Sequence, residues 1–211
     1  MAAPKSVARI PVAGILRPFH SWLFRVVGRC EKFGGSTRQP QFHHMRVLAI
    51  DPSLRSTGYA VVDDATRPPR AIAYGEIKNP SARPMSECLH TIHQTIVDLI
   101  QRHHPDVAAI EGIIYVQSMK TAITLGSTRG AAILALGQVK IPVYEYAPRR
   151  VKQAVVGRGG ADKQQVAFMV RSLLGLTETP KADAADALAI ALTHLQSTQS
   201  AVADLRDVAR L

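Results

Sequence analysis

Four carboxylates constrain what this chain can fold into, because each closes or interrupts an apolar run. Asp51 ends Met45-Arg-Val-Leu-Ala-Ile50, and Glu111 ends Val107-Ala-Ala-Ile110. Asp183 and Asp186 lie within Ala182-Asp-Ala-Ala-Asp-Ala-Leu-Ala-Ile-Ala-Leu192, which reads as a buried helix. Acids inside apolar elements are costly unless they are paired, hydrogen-bonded or bound to a cation. No basic residue near them in sequence pairs with all four. A fold in which the four converge as oxygen ligands of Mg²⁺ or Mn²⁺ would account for them together.

Each acid also has a plainer reading. Asp51-Pro52 fits an Asx turn. Glu111 alone fits a solvated strand end. Asp183 fits a helix cap, with Asp186 favoured by the N-terminal dipole. The spacing of three puts Asp183 and Asp186 on one helix face. A shared metal site explains all four, and the plainer readings explain them one at a time.

The surrounding chain is basic. Its formal net charge is +10, with 26 Lys and Arg against 16 acids and a pI near 10.1. That balance favours a polyanionic partner, nucleic acid or an anionic membrane surface. An acidic metal cluster in such a protein points to phosphodiester chemistry. Between the acids, residues 147–163 hold Arg149, Arg150, Lys152, Arg158 and Lys163, opposed only by Asp162. The loop Gly157-Arg-Gly-Gly160 could hold phosphate through its amides, or be a solvated connection. It is not a P-loop. The histidines show no zinc spacing, and no nucleophile has a His–acid partner.

The length of 211 residues suits one domain with an appendage, and 46% hydrophobic residues are enough for a sizeable core. Cys30 and Cys88 predict neither a disulfide nor a metal site, and so a reducing compartment, expected to be the cytoplasm. No apolar stretch approaches the roughly 20 residues needed to span a bilayer. Residues 1–44 carry seven Lys or Arg and one acid, Glu31. Three readings compete for this extension: an upstream start ahead of Met45, a disordered arm that touches DNA, or a transit peptide. Arg17, His20 and Arg25 interrupt its apolar part and argue against a secretory signal.

From Met45 the pattern predicts strands over 46–51, 58–62 and 71–77 joined by short turns, hence antiparallel neighbours. An amphipathic helix over 86–103 carries Leu89, Ile92, Ile96, Leu99 and Ile100 on one side. A strand over 106–111, a small-residue helix over 118–137 and a strand over 141–146 follow. Helices over 149–155, 162–174 and 182–196 come next, and the tail 197–211 reads as a frayed helix. The expected fold is α/β, a mixed five-stranded sheet flanked by helices. Its active edge lies where the first and fourth strands end.

Several segments together resemble a known family. They are Asp51-Pro…Thr-Gly-Tyr59, Ala109-Ile-Glu111, Leu125-Gly…Arg-Gly130, Tyr144-Glu-Tyr146, Val151-Lys-Gln-Ala-Val-Val-Gly157, Ala161-Asp-Lys163 and the 182–191 helix. In order and spacing they closely resemble the RuvC family of Holliday-junction resolvases, over about residues 45–196. The resemblance implies an RNase H-like fold, a homodimer and Mg²⁺-dependent cleavage of four-way DNA junctions, with RuvA and RuvB as partners. It assigns the metal-binding acids to Asp51, Glu111, Asp183 and Asp186, and active-site basic residues to Lys152 and Lys163. Two Mg²⁺ ions per site are expected, with Mn²⁺ able to substitute. Arg149, Arg150 and Arg158 are expected to grip flanking phosphates.

The sequence departs from the family at three places. Ser53 stands where the family commonly has Gly. Gly112 and Ile114 stand where it has Gln and an aromatic that stacks on an opened base, with Tyr115 next in line for that contact. Two other readings stay open at this stage. The Asp51 turn also resembles the first phosphate turn of actin-like and sugar-kinase ATPases, without their second Gly-rich turn. A non-catalytic junction-binding relative is the other, though retention of all four acids argues against it.

Overall fold

In the computed structural model, residues 44–113, 118–199 and 208–211 are described. Residues 1–43 of the extension and the candidate stacking residue Tyr115 lie outside them. The elements follow the order β1 (Arg46–Asp51), β2 (Ser56–Asp63), β3 (Arg70–Lys78), α1 (Met85–His103), β4 (Val107–Glu111), α2 (Met119–Gly137) and β5 (Val143–Tyr146). Then come α3 (Pro148–Val156), α4 (Lys163–Leu174), α5 (Ala182–Gln199) and β6 (Ala209–Arg210).

The strands form one sheet in the order β3-β2-β1-β4-β5-β6. The first three strands pair antiparallel, as their short connections require, and β4 and β5 run parallel to β1 after helical crossovers. β1 lies at the centre of the sheet and is apolar on both faces, which is why it reads as an unbroken run rather than an alternation. Val47 and Ala49 join the core beneath α3, α4 and α5. Leu48 and Ile50 join the core beneath α1 and α2. The result is a three-layer α/β/α arrangement.

Local signals set the helix ends. Ser118 caps α2 by accepting from the Thr121 amide at 3.2 Å. Asp162 and Gln165 form a capping box at the start of α4. Gly157 ends α3 at φ 83°, a left-handed position that suits glycine. α5 is buried almost all round, from Ala184 to Leu195 with only Asp186 part-exposed, because it lies across the sheet with helices beside it. On α1 the fully buried position belongs to Cys88 rather than to the expected Leu89, which is half-buried.

The expected five-stranded sheet has a sixth strand. α5 runs to Gln199, and Ala209–Arg210 then pairs antiparallel with β5, with the Leu211 amide donating to the Val143 carbonyl at 3.0 Å. The frayed-helix reading of the tail is therefore corrected at Ala209–Arg210, while 197–199 continue α5. Two residues are too short to display an alternating pattern. What recruits them is the otherwise unpaired outer edge of β5, with Val208 buried beside it as an anchor.

Candidate active site: four acids at the sheet edge

Asp51 and Glu111 are the last residues of β1 and β4. These strands are parallel neighbours in register, Ile50 opposite Ile110, so both carboxylates leave the same edge of the sheet side by side. The turn after Asp51 is closed by Thr57, whose hydroxyl donates to the Ser53 carbonyl at 2.6 Å. Ser53 is not in the left-handed region, so the turn does not require glycine there.

The helix acids arrive from the other side. Asp51 pairs with Gly58 of β2, and the first turn of α5 crosses β2 at that residue. A Cβ at Gly58 would run into the Asp183 carbonyl. Only a glycine lets the helix come so close. One carboxylate oxygen each from Asp51, Asp183 and Asp186 lies within 4.8 Å of the other two. Glu111 stands beside them at the end of the parallel neighbouring strand, close enough to Asp51 and Asp186 for their charges to act on one another. All four are half-buried.

This crowding is electrostatically unfavourable by itself. Burial first, then the charges of Glu111 and Asp186, push the Asp51 carboxyl up to about 8. Glu111 is raised too, by burial and by Asp186. Without a cation, the Asp51–Glu111 pair therefore keeps a proton at neutral pH. An all-oxygen donor set short of positive charge fits a hard divalent ion. Lys163 partly offsets the charge. Its Nζ lies 3.0 Å from Asp186 Oδ2, and that hydrogen bond and charge raise the ammonium above its ordinary value. Lys152 is close enough for its charge to favour ionisation of Glu111.

The remaining basic residues lie beyond the cluster. Arg150 sits over the Tyr146 ring at 5.8 Å. Arg149 lays its aliphatic stem across Gly159, where a Cβ would meet its Cγ. Arg158 is exposed in the loop between α3 and α4. Two glycines of that loop thus have local reasons, Gly157 as a helix cap and Gly159 as space for Arg149.

Two contacts had no sequence signal. The Ser56 hydroxyl donates to Asp183 Oδ2 across 127 residues of chain. Glu145 pairs with Arg129 and fills the space beside Gly112, where a Cβ would lie 2.6 Å from Glu145 Oε1. The departure from Gln at position 112 thus has a steric counterpart on β5.

A mixed sheet of this order, with helices on both faces and acids gathered where β1, β4 and α5 meet, defines a nuclease of the RNase H-like class that uses divalent metal. The family model described as Crossover junction endodeoxyribonuclease RuvC matches residues 47–194. The crossover junction endodeoxyribonuclease RuvC of Akkermansia muciniphila is 54% identical over 153 residues, covering 72% of this chain and 92% of that protein. That of Halorhodospira halophila is 47% identical over 149 residues, covering 71% and 89%. RuvC of T. thermophilus, solved in complex with Holliday junction substrate, superposes with a TM-score of 0.71 at 34% identity, covering 79% of this chain and 99% of that one. The yeast mitochondrial Holliday junction resolvase Ydc2, at TM-score 0.52 and 15% identity, shares the fold. The chain belongs to the crossover junction endodeoxyribonuclease RuvC family.

Proposed function

We propose that this protein resolves four-way DNA junctions by paired, symmetric, Mg²⁺-dependent phosphodiester hydrolysis during recombination and repair. The observation that carries the reading is the convergence of Asp51, Asp183 and Asp186, with Glu111 at the end of the parallel strand beside Asp51, in a chain whose relatives are named as crossover junction endodeoxyribonucleases. Asp51, Glu111, Asp183 and Asp186 would hold two Mg²⁺ ions, with Mn²⁺ able to replace them. Bound divalent ions supply an activated water and stabilisation of the leaving 3′-oxygen. The chain's own residues do the rest. Asp51 and Glu111, both raised by burial and neighbouring acids, would have to be deprotonated to hold the cations. Lys163 places its ammonium beside Asp186, where it offsets charge developing on the scissile phosphate. Lys152 serves the same edge. Arg149, Arg150 and Arg158 grip flanking phosphates, and Tyr115 is the candidate for stacking on an opened base.

Two-fold symmetric cutting calls for a homodimer. Along α2, Met119, Ile123 and Leu134 are exposed at helical spacing, and a Cβ at Gly126, Gly130 or Gly137 would meet nothing. This uncovered stripe of α2 supports a close helix–helix contact between protomers. RuvA and RuvB are the proposed branch-migration partners and the cytoplasm the proposed location. Among the described residues no helix is long and apolar enough to cross a membrane. The domain is proposed to begin at residue 45, with 1–44 a basic extension, and Gln199 of α5 and the paired Ala209–Arg210 carry it past the expected end at 196.

A synthetic four-way junction with Mg²⁺ tests the reading. Wild type is expected to nick opposed strands symmetrically. Asp51→Asn, Glu111→Gln or Asp186→Asn should abolish cleavage and leave junction binding intact. An amide variant that cuts at near wild-type rate would remove that acid from the site, and a wild type that binds junctions yet ignores Mg²⁺ would favour a non-catalytic relative.

A further inference from the structure

The two acids on α5 are held by different partners. Asp186 has one carboxylate oxygen on Lys163 Nζ. Asp183 has one oxygen on the neutral Ser56 hydroxyl. Ser56 is the first residue of β2 and is half-buried. Gly58, two residues on, lies on the same face of that strand. One strand face thus receives both the backbone of Asp183, at Gly58, and its carboxylate, at Ser56.

We infer that Ser56 is a positioning residue for the acid cluster: its hydroxyl fixes the Asp183 carboxylate with Oδ2 engaged and the other oxygen left to ligate a divalent cation. An aspartate at a helix start can rotate between capping its own helix and facing its neighbours. A donor from another strand selects one orientation before the ion arrives, so the cation does not have to order the ligand on binding. Charge matters as well. A lysine at position 56 would neutralise Asp183 and compete with the cation, whereas a hydroxyl orients the carboxylate and leaves its charge in place. Attachment of α5 to β2 does not depend on this bond. The Gly58 contact and the buried residues Ala184, Ala187 and Leu188 already provide it.

This inference rests on the proposed divalent-cation role of the cluster, and the experiment separates the two. Mn²⁺ binding to the full-length protein without DNA is followed by the electron paramagnetic resonance of free Mn²⁺, alongside thermal unfolding. Ser56→Ala should bind Mn²⁺ roughly 10-fold more weakly, the scale of loss seen when a partner that orients a ligand is removed. The Mn²⁺ concentration for half-maximal single-turnover junction cleavage should rise by a similar factor. Ser56→Thr, which keeps the hydroxyl, should restore both. In an Asp183→Asn background, Ser56→Ala should have no further effect. Wild-type Mn²⁺ affinity in Ser56→Ala, equal weakening in Ser56→Thr, or additive losses in the double variant would each overturn the positioning role. Asp51→Asn that binds Mn²⁺ as wild type does would instead overturn the cluster's cation role, and this inference with it.

Discussion

Asp51 is a carboxyl that the folded protein keeps protonated well above its ordinary value. Raised from 3.8 to about 8, it binds a proton in the folded state over a pH range where the unfolded chain has lost it. The metal-free protein should therefore lose stability as pH rises from about 4 toward 8, since the folded state then binds more protons than the unfolded. A bound divalent cation should reverse that trend, and cation binding should release protons. Thermal midpoints across this range, with a chelator and with Mg²⁺, check the slope. Asp51→Asn should flatten the chelator curve; an unchanged curve would mean that the carboxyl does not hold its proton as described.

Lys163 and Arg158 differ in the same physical terms. Lys163 is fixed on Asp186 at 3.0 Å, whereas Arg158 is exposed in a loop. A group aimed at the scissile phosphate matters more in the transition state than in the bound ground state. Lys163→Ala should lower the single-turnover rate on the order of 100-fold at saturating protein, with junction affinity nearly unchanged. Arg158→Ala should weaken binding, reduce the salt slope by about 1 and leave the saturated rate intact. Reversed outcomes would exchange the two roles.

Among the elements, α5 and β2 make the contact on which the site depends. The helix is apolar enough to be buried anywhere, and Gly58 determines where its first turn lies. Gly58→Ala should cost about 1–3 kcal/mol, because the added methyl must push backbone rather than a side chain. Chemical denaturation measures that cost, and cleavage should fall further than stability accounts for, since Asp183 and Asp186 move with the helix. β5 is tied to the other end of α5. The Tyr146 hydroxyl meets His194 Nδ1 at 2.8 Å in the core, and burial pulls the imidazole down to about 4. Both ends of α5 are thus held by polar contacts to strands, with apolar packing between.

For the whole molecule, the question is how charge is divided between residues 1–44 and the nuclease domain. The extension holds seven of the 26 basic residues and one acid, so a protein starting at Met45 retains a net charge of +4. The family match begins at residue 47. The truncated protein should fold with an unchanged thermal midpoint and cleave junctions. Its binding should show a shallower salt dependence only if the extension neutralises phosphates. Failure to fold would place the extension within the domain.

The sequence by itself determined most of the elements and every acid of the cluster. Short apolar runs bounded by Pro, Asp and Gly marked β1 to β5, while the helix ranges opening at Ser118 and Asp162 lay within a residue of the observed starts, because turn and cap preferences are local. The same locality explains what stayed illegible. Asp51, Glu111 and the α5 acids each allowed a plainer reading until β1 and β4 became parallel neighbours and α5 crossed β2 at Gly58. The Ser56–Asp183 bond spans 127 residues, and β6 is a two-residue strand recruited by the free edge of β5. Only the tertiary structure decided these, because they depend on which distant surfaces meet, and neither partner of such a contact carries a mark of the other in its own neighbourhood.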